Sequence, residues 1–106
     1  MINKIKLNSV YDNKKTFIYI AQKEDTVQSL AERFHTTQEV IISLNGLTED
    51  VSKGEYLVIE RIDGVEYTVM PCDTVESIAE KFCVNAVDIM LKNKVDVIYV
   101  GQKIYV

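Results

Sequence analysis

One pattern in this 106-residue chain occurs twice, with a period of 48 residues. Setting Asp25-Thr26-Val27 on Asp73-Thr74-Val75 also brings Ser29 onto Ser77, Ala31 onto Ala79, Glu32 onto Glu80, Phe34 onto Phe82, Ile41 onto Ile89 and Asn45 onto Asn93, with no shift between them. A fixed period that matches polar as well as apolar positions means one supersecondary unit used twice. A unit of about 45 residues lies near the lower limit at which a core stabilises itself without disulfides or metal. The two units are therefore expected to touch.

Each copy opens with a run rich in β-branched and aromatic residues, Phe17-Ile18-Tyr19-Ile20-Ala21 and Val65-Glu66-Tyr67-Thr68-Val69, which reads as a strand. Apolar residues then recur at i, i+3, i+4 and i+7, as Val27, Leu30, Ala31, Phe34 and again as Val75, Ile78, Ala79, Phe82. That spacing is the stripe of an amphipathic helix. Asp25 and Asp73 stand three residues before Gln28 and Glu76, the spacing of a capping box, and Thr26 and Thr74 compete with them for the cap. Thr37 and Asn85 are caps for a second helix carrying Ile41 and Leu44 in one copy and Ile89 and Met90 in the other. A glycine turn at Gly54 or Gly101 leads into a closing apolar strand.

The predicted fold class is α+β. Two tandem βααβ units each lay a two-stranded antiparallel sheet on two helices, the arrangement that best buries both helical stripes. Lys4-Ile5-Lys6-Leu7-Asn8 alternates with period two and suggests an extra N-terminal strand. The expected organisation is an N-terminal extension over 1–16, a first repeat over 17–60, a short turn over 61–64 and a second repeat over 65–106. Asp63-Gly64 between alternating residues is a hairpin signal, which predicts antiparallel pairing of the strands on either side, or at least a fixed interface.

Composition narrows the function classes. With 47% apolar and 26% charged residues the chain is globular. Its charge of −4 is uneven: residues 1–16 hold four Lys against one Asp, and residues 17–60 hold eight acidic against three basic side chains. That distribution lacks the dense basic face a nucleic-acid partner needs. No run of about 18 apolar residues could insert into a membrane. Read from Met1, the start lacks the apolar segment of a signal peptide, so the chain is expected to be cytoplasmic as synthesised.

Cys72 and Cys83 occur only in the second copy, opposite Glu24 and His35, and are expected to be free thiols. Neither these residues nor the single His supply a metal-ligand spacing, so no metal or other cofactor is expected. There is no phosphate-binding glycine loop, no Cys-x-x-Cys and no His-Glu-x-x-His, and no acid pair recurs in both copies. The chain reads as a binding module with no catalytic residues.

In order and wording the residues resemble the LysM (lysin motif) family. The second copy carries Tyr67-Thr68-Val69, Pro71, Asp73-Thr74, Ile78-Ala79, Phe82, Asn93, Ile98 and Gly101-Gln102. The first carries Tyr19, Asp25-Thr26, Leu30-Ala31, Phe34, Leu44-Asn45, Val51 and Gly54. The resemblance implies a βααβ fold that binds N-acetylglucosamine polymers such as peptidoglycan and chitin, in a shallow groove between the loop after the first strand and the loop after the second helix. By position, the groove would involve Lys23, Glu24, Asp25, Thr26 and Val27 with Gly46, Leu47 and Thr48. In the second copy it would involve Pro71, Cys72, Asp73, Thr74 and Val75 with Lys94, Val95 and Asp96. Two departures stand out: the family's glycine before Asp-Thr is Glu24 or Cys72, and Lys92 takes a usually apolar place.

Bland roles are expected for the most suggestive side chains: helix capping for Asp25 and Asp73, helix termination for Asn45 and Asn93, core packing for Tyr19, Phe34, Tyr67 and Phe82, and a solvated loop for His35. Two functions remain in view. One is a non-catalytic glycan-binding protein attached to cell-wall or spore-wall material. The other is a protein-binding scaffold or adaptor in spore-coat or phage-tail assembly.

Overall fold

The computed structural model describes residues 15–106. Eight elements follow in order: β1 (Thr16–Ile20), α1 (Val27–Arg33), α2 (Gln38–Asn45), β2 (Tyr56–Glu60), β3 (Glu66–Thr68), α3 (Val75–Phe82), α4 (Ala86–Asn93) and β4 (Lys103–Tyr105). The unit is βααβ twice, an α+β fold. The N-terminal strand expected over Lys4–Asn8 lies outside the described residues.

Within each repeat the first and last strands pair antiparallel. Phe17 sits opposite Ile59 and Ile20 opposite Tyr56 in one sheet; Tyr67 sits opposite Ile104 in the other. Alternation then sends Leu57 and Ile59 inward onto Leu30, Ala31 and Ile41. Ile104 and Val106 likewise meet Ile78, Ala79 and Ile89. Tyr19 and Phe34 meet edge to face at 5.2 Å and Tyr67 and Phe82 at 5.4 Å, half-buried against these cores as expected of packing aromatics.

The expected hairpin through Asp63-Gly64 does not form: among the described residues β2 pairs with β1 and β3 with β4. The other edge of β2 is already taken by the carboxamide of Asn45, which receives Val58 N–H at 2.7 Å and donates to the Val58 carbonyl at 2.9 Å. Asn93 does the same for Tyr105, at 2.9 Å in both directions. Each amide also donates to its own helix, at Ile41 or Ile89. These asparagines therefore do more than end a helix: they clamp it to the closing strand, and Asn93 is only 1% exposed.

The repeats meet through a small third cluster of Val40, Ile62 and Tyr105, with Leu44 against it. His35 stands exposed in the turn after α1, as expected of a loop histidine, and one side of its ring also meets this contact. Its ring lies 4.5 Å from that of Tyr105, and its Nδ1 is 2.8 Å from the Ile62 carbonyl, which can only accept a hydrogen bond. His35 also receives the Ile62 N–H on its own carbonyl at 2.9 Å. Ion pairs Lys94–Glu60 and Lys103–Glu32 bridge the repeats at 3.6 and 3.8 Å. Lys92, in the usually apolar place, donates to the Asp63 carbonyl at 3.1 Å and so ties α4 to the linker.

Candidate functional site

The loop after the first strand is a four-residue turn in both copies, closed by Asp25 N–H to Gln22 C=O and by Asp73 N–H to Met70 C=O, each at 3.1 Å. Pro71 followed by Cys72 at φ 73° is the combination of a type II turn. Glu24 does not take positive φ. The missing family glycine is therefore tolerated differently: the second copy keeps the left-handed conformation and lets a cysteine bear it, while the first changes the turn. Cys72 and Cys83 are exposed free thiols.

Asp25 and Asp73 are not the caps. Thr26 and Thr74 cap α1 and α3, each closing a capping box with the Ser three residues on. A threonine one residue later has the extended backbone and the reach to the free N–H, and this leaves the aspartate to turn the other way. Asp25 accepts from Tyr19 hydroxyl at 2.6 Å, Gln22 N–H at 2.7 Å and Arg33 at 2.8 Å. Asp73 accepts from Tyr67 hydroxyl at 2.6 Å and Met70 N–H at 2.8 Å. The tyrosine hydroxyl, then the backbone N–H, hold each carboxyl below the usual carboxylate range, with Arg33 adding to the effect at Asp25. Each aspartate thus pins its turn to its first strand.

The loop after the second helix starts in the left-handed region, at Gly46 (φ 60°) and Lys94 (φ 52°). Beside it, each repeat has a shallow open depression. In the first, of about 270 Å³, Val27, Gln38, Ile42, Leu47, Thr48 and Asp50 contribute to the lining. In the second, of about 420 Å³, the lining is Val87, Met90, Leu91, Lys94, Val95 and Asp96. Of the expected groove residues, Val27, Leu47 and Thr48 line the first depression from both loops, and Lys94, Val95 and Asp96 line the second from one loop only. Lys23, Glu24, Asp25, Thr26 and Gly46 do not line the first depression, nor Pro71, Cys72, Asp73, Thr74 and Val75 the second. Asp25 is only 9% exposed and committed to its turn.

Sequence reasoning missed Asp50. Its Oδ1 accepts from Val27 N–H and Val51 N–H, both at 2.8 Å, and so binds the second loop to the start of α1 across the depression. The available signal was an acidic residue in a loop that must return to a helix N-terminus, whose free N–H groups favour a carboxylate. Glu49 of the same loop was missed, and so were Gln38, Ile42, Val87, Met90 and Leu91. These five lie on the second helix of their repeat, within two turns of its end.

The family model of the LysM domain matches residues 19–51 and 67–106. The chain belongs to the LysM family. LysM domains are binding modules for peptidoglycan and other N-acetylglucosamine polymers. None of the curated proteins matches the sequence closely enough to count as a relative. Among solved structures, the spore cortex-lytic enzyme SleL of Bacillus cereus is 28% identical with a TM-score of 0.42, over 86% of this LysM chain and 22% of that protein. The spore cortex-lytic enzyme SleL of Bacillus megaterium QM B1551 is 28% identical with a TM-score of 0.44, over 89% and 23%. The LysM chain thus spans less than a quarter of either enzyme's length. Among its described residues no helix is long and apolar enough to cross a membrane, and no group of three or more His, Cys, Asp or Glu side chains is placed to hold a metal ion.

Proposed function

We propose that this chain is a non-catalytic module that binds glycans containing N-acetylglucosamine, such as peptidoglycan, with one groove per repeat. The observation that carries the reading is the pair of depressions that overlap at three equivalent positions, Ile42 and Met90, Leu47 and Val95, Thr48 and Asp96, each with an apolar floor, Leu47 and Ile42 or Val95 and Met90. An acetamide methyl suits such a floor, and its N–H and C=O suit backbone groups of the loops at 46–50 and 94–96. Of the residues expected from the family, Leu47, Thr48, Val95 and Asp96 would touch the sugar. Asp25 and Asp73 would hold the loops, and Asp50 would brace the first groove.

Isothermal titration with oligomers of N-acetylglucosamine, beside sedimentation with insoluble peptidoglycan, tests this. Heat and co-sedimentation are expected; neither heat nor amide shifts at millimolar oligomer would rule the reading out. A protein-binding scaffold is the second reading. It is favoured by the large apolar side chains left exposed, Ile18 and Tyr56 on the first sheet and Val87 and Leu91 on α4. Retention of a defined protein partner by a chain that ignores peptidoglycan would favour it.

A further inference from the structure

Between the two repeats lies a cleft of about 390 Å³. One wall is the elbow of α1 and α2, with Gln28, Glu32, Thr36 and Gln38; the other is the approach to β4, with Tyr99 and Lys103. The ion pair of Glu32 and Lys103 spans it.

The elbow occurs twice, so the chain contains its own comparison. Thr36, Gln38 and Glu39 in the cleft correspond to Val84, Ala86 and Val87 in the second repeat. There, Val84 and Val87 are open to solvent. Gln38 and Glu39 are themselves open to solvent, so the contrast lies at Thr36 against Val84, where burial alone selects the reverse, an apolar group under a neighbour and a polar group facing water. Thr36 sharpens the contrast. It is 4% exposed, and its Oγ1 is the one buried side-chain polar atom without a hydrogen-bond partner among the described residues. Valine has nearly the same shape and would leave nothing unsatisfied.

Tyr99 gives a second contrast. Tyr99 is 68% exposed, and its counterpart, counted back from the closing-turn glycines Gly54 and Gly101, is Ser52. The local turn does not require an aromatic residue: Tyr99 N–H donates to Gln102 Oε1 as Ser52 N–H donates to Glu55 Oε1, both at 2.8 Å.

We propose that this cleft is a second saccharide site, formed only by the tandem arrangement, which takes one sugar residue of the glycan assigned above. The inference rests on that glycan reading. Sugar hydroxyls and acetamides both donate and accept, as do the Thr36 hydroxyl and the carboxamides of Gln28 and Gln38. The C–H face of a pyranose matches the exposed ring of Tyr99. The cleft volume falls in the range of small-ligand sites, about 300–1,000 Å³.

The test is a nitrogen-15 NMR titration of the full chain with the tetramer of N-acetylglucosamine, repeated on Thr36→Val and Tyr99→Ala. Amides of 36–39 and 99–103 should shift in addition to those of the grooves at 47–50 and 94–96. Either variant should weaken the cleft response about threefold to tenfold, the equivalent of one modest contact. Thr36→Val should also unfold at the same or a higher denaturant concentration, which separates lost binding from lost structure. Groove shifts with silent cleft amides, or variants that titrate like the parent, overturn the cleft and leave the grooves standing. Cleft shifts with silent grooves do the opposite. Silence at both removes the glycan reading and this inference with it, and a cleft that answers only to a lysine-rich peptide overturns the sugar assignment.

Discussion

Replacing Asn93 by Ala leaves the N–H and C=O of Tyr105 buried without their partner. The expected loss in urea unfolding is about 3 kcal/mol, because orphaned buried backbone groups cost more than the bond itself was worth. Asn93→Asp should not rescue it: a carboxylate can receive the Tyr105 N–H but cannot donate to the carbonyls of Tyr105 and Ile89. Asn45→Ala, at a half-buried site, should cost less. A second residue-scale expectation concerns acid. The folded-state pKa values of Asp25 and Asp73 lie below their unfolded values. Their contribution to stability is therefore complete above the ordinary aspartate pKa of about 3.9 and is lost as pH falls through the lowered folded value. Tyr19→Phe removes the largest cause of the shift at Asp25, so its destabilisation in thermal melts should be present at neutral pH and shrink in acid. An equal loss at both would mean that the carboxylate charge is not what the hydroxyl serves.

Among the connecting elements, the two glycines Gly46 and Gly64 separate conformation from space. Gly46 has φ 60° with nothing near its missing side chain, so Gly46→Ala should cost about 1 kcal/mol for the left-handed backbone alone. Gly64 has φ 122°, and a Cβ there would lie 2.2 Å from the carbonyl oxygen of Val106. That oxygen accepts from Val65 N–H and closes the end of the β3–β4 ladder, with Val106 N–H returning to Val65 C=O. Gly64→Ala should cost clearly more than Gly46→Ala, and hydrogen exchange should show the Val65 and Val106 amides losing protection. The caps at Thr26 and Thr74 are ordinary by comparison: alanine at either should cost about 1 kcal/mol.

At the scale of the whole molecule, Tyr105 joins two small cores. Its side chain is 2% exposed, yet the contacts that bury it belong largely to the other repeat and the linker. Tyr105→Ala should cost about 3 kcal/mol and free the repeats, so that residual dipolar couplings fit two alignments where the parent fits one. If one glycan chain engages both grooves, Leu47→Glu or Val95→Glu should lower its affinity far more than twofold. Tethered sites gain on the order of 10²–10⁴ in avidity, and disabling one forfeits that gain.

From the 48-residue period alone came the repeated unit, its strand–helix–helix–strand order and the apolar stripes of its helices, because all of these are set by local spacing that each copy states independently. The groove residues named beforehand came from the family resemblance and not from the period. What local spacing could not decide was the choice between neighbouring polar groups. Asp25 or Thr26 could have capped α1, and the answer depended on Tyr19 and Arg33 being near enough to claim the aspartate. Asp63-Gly64 could have made a hairpin, and did not, because Asn45, eighteen residues earlier, occupies the edge of β2 that β3 would have used. Each of these outcomes is a competition for one hydrogen-bonding group or one edge between residues far apart in sequence, and only the packed chain brings the competitors together.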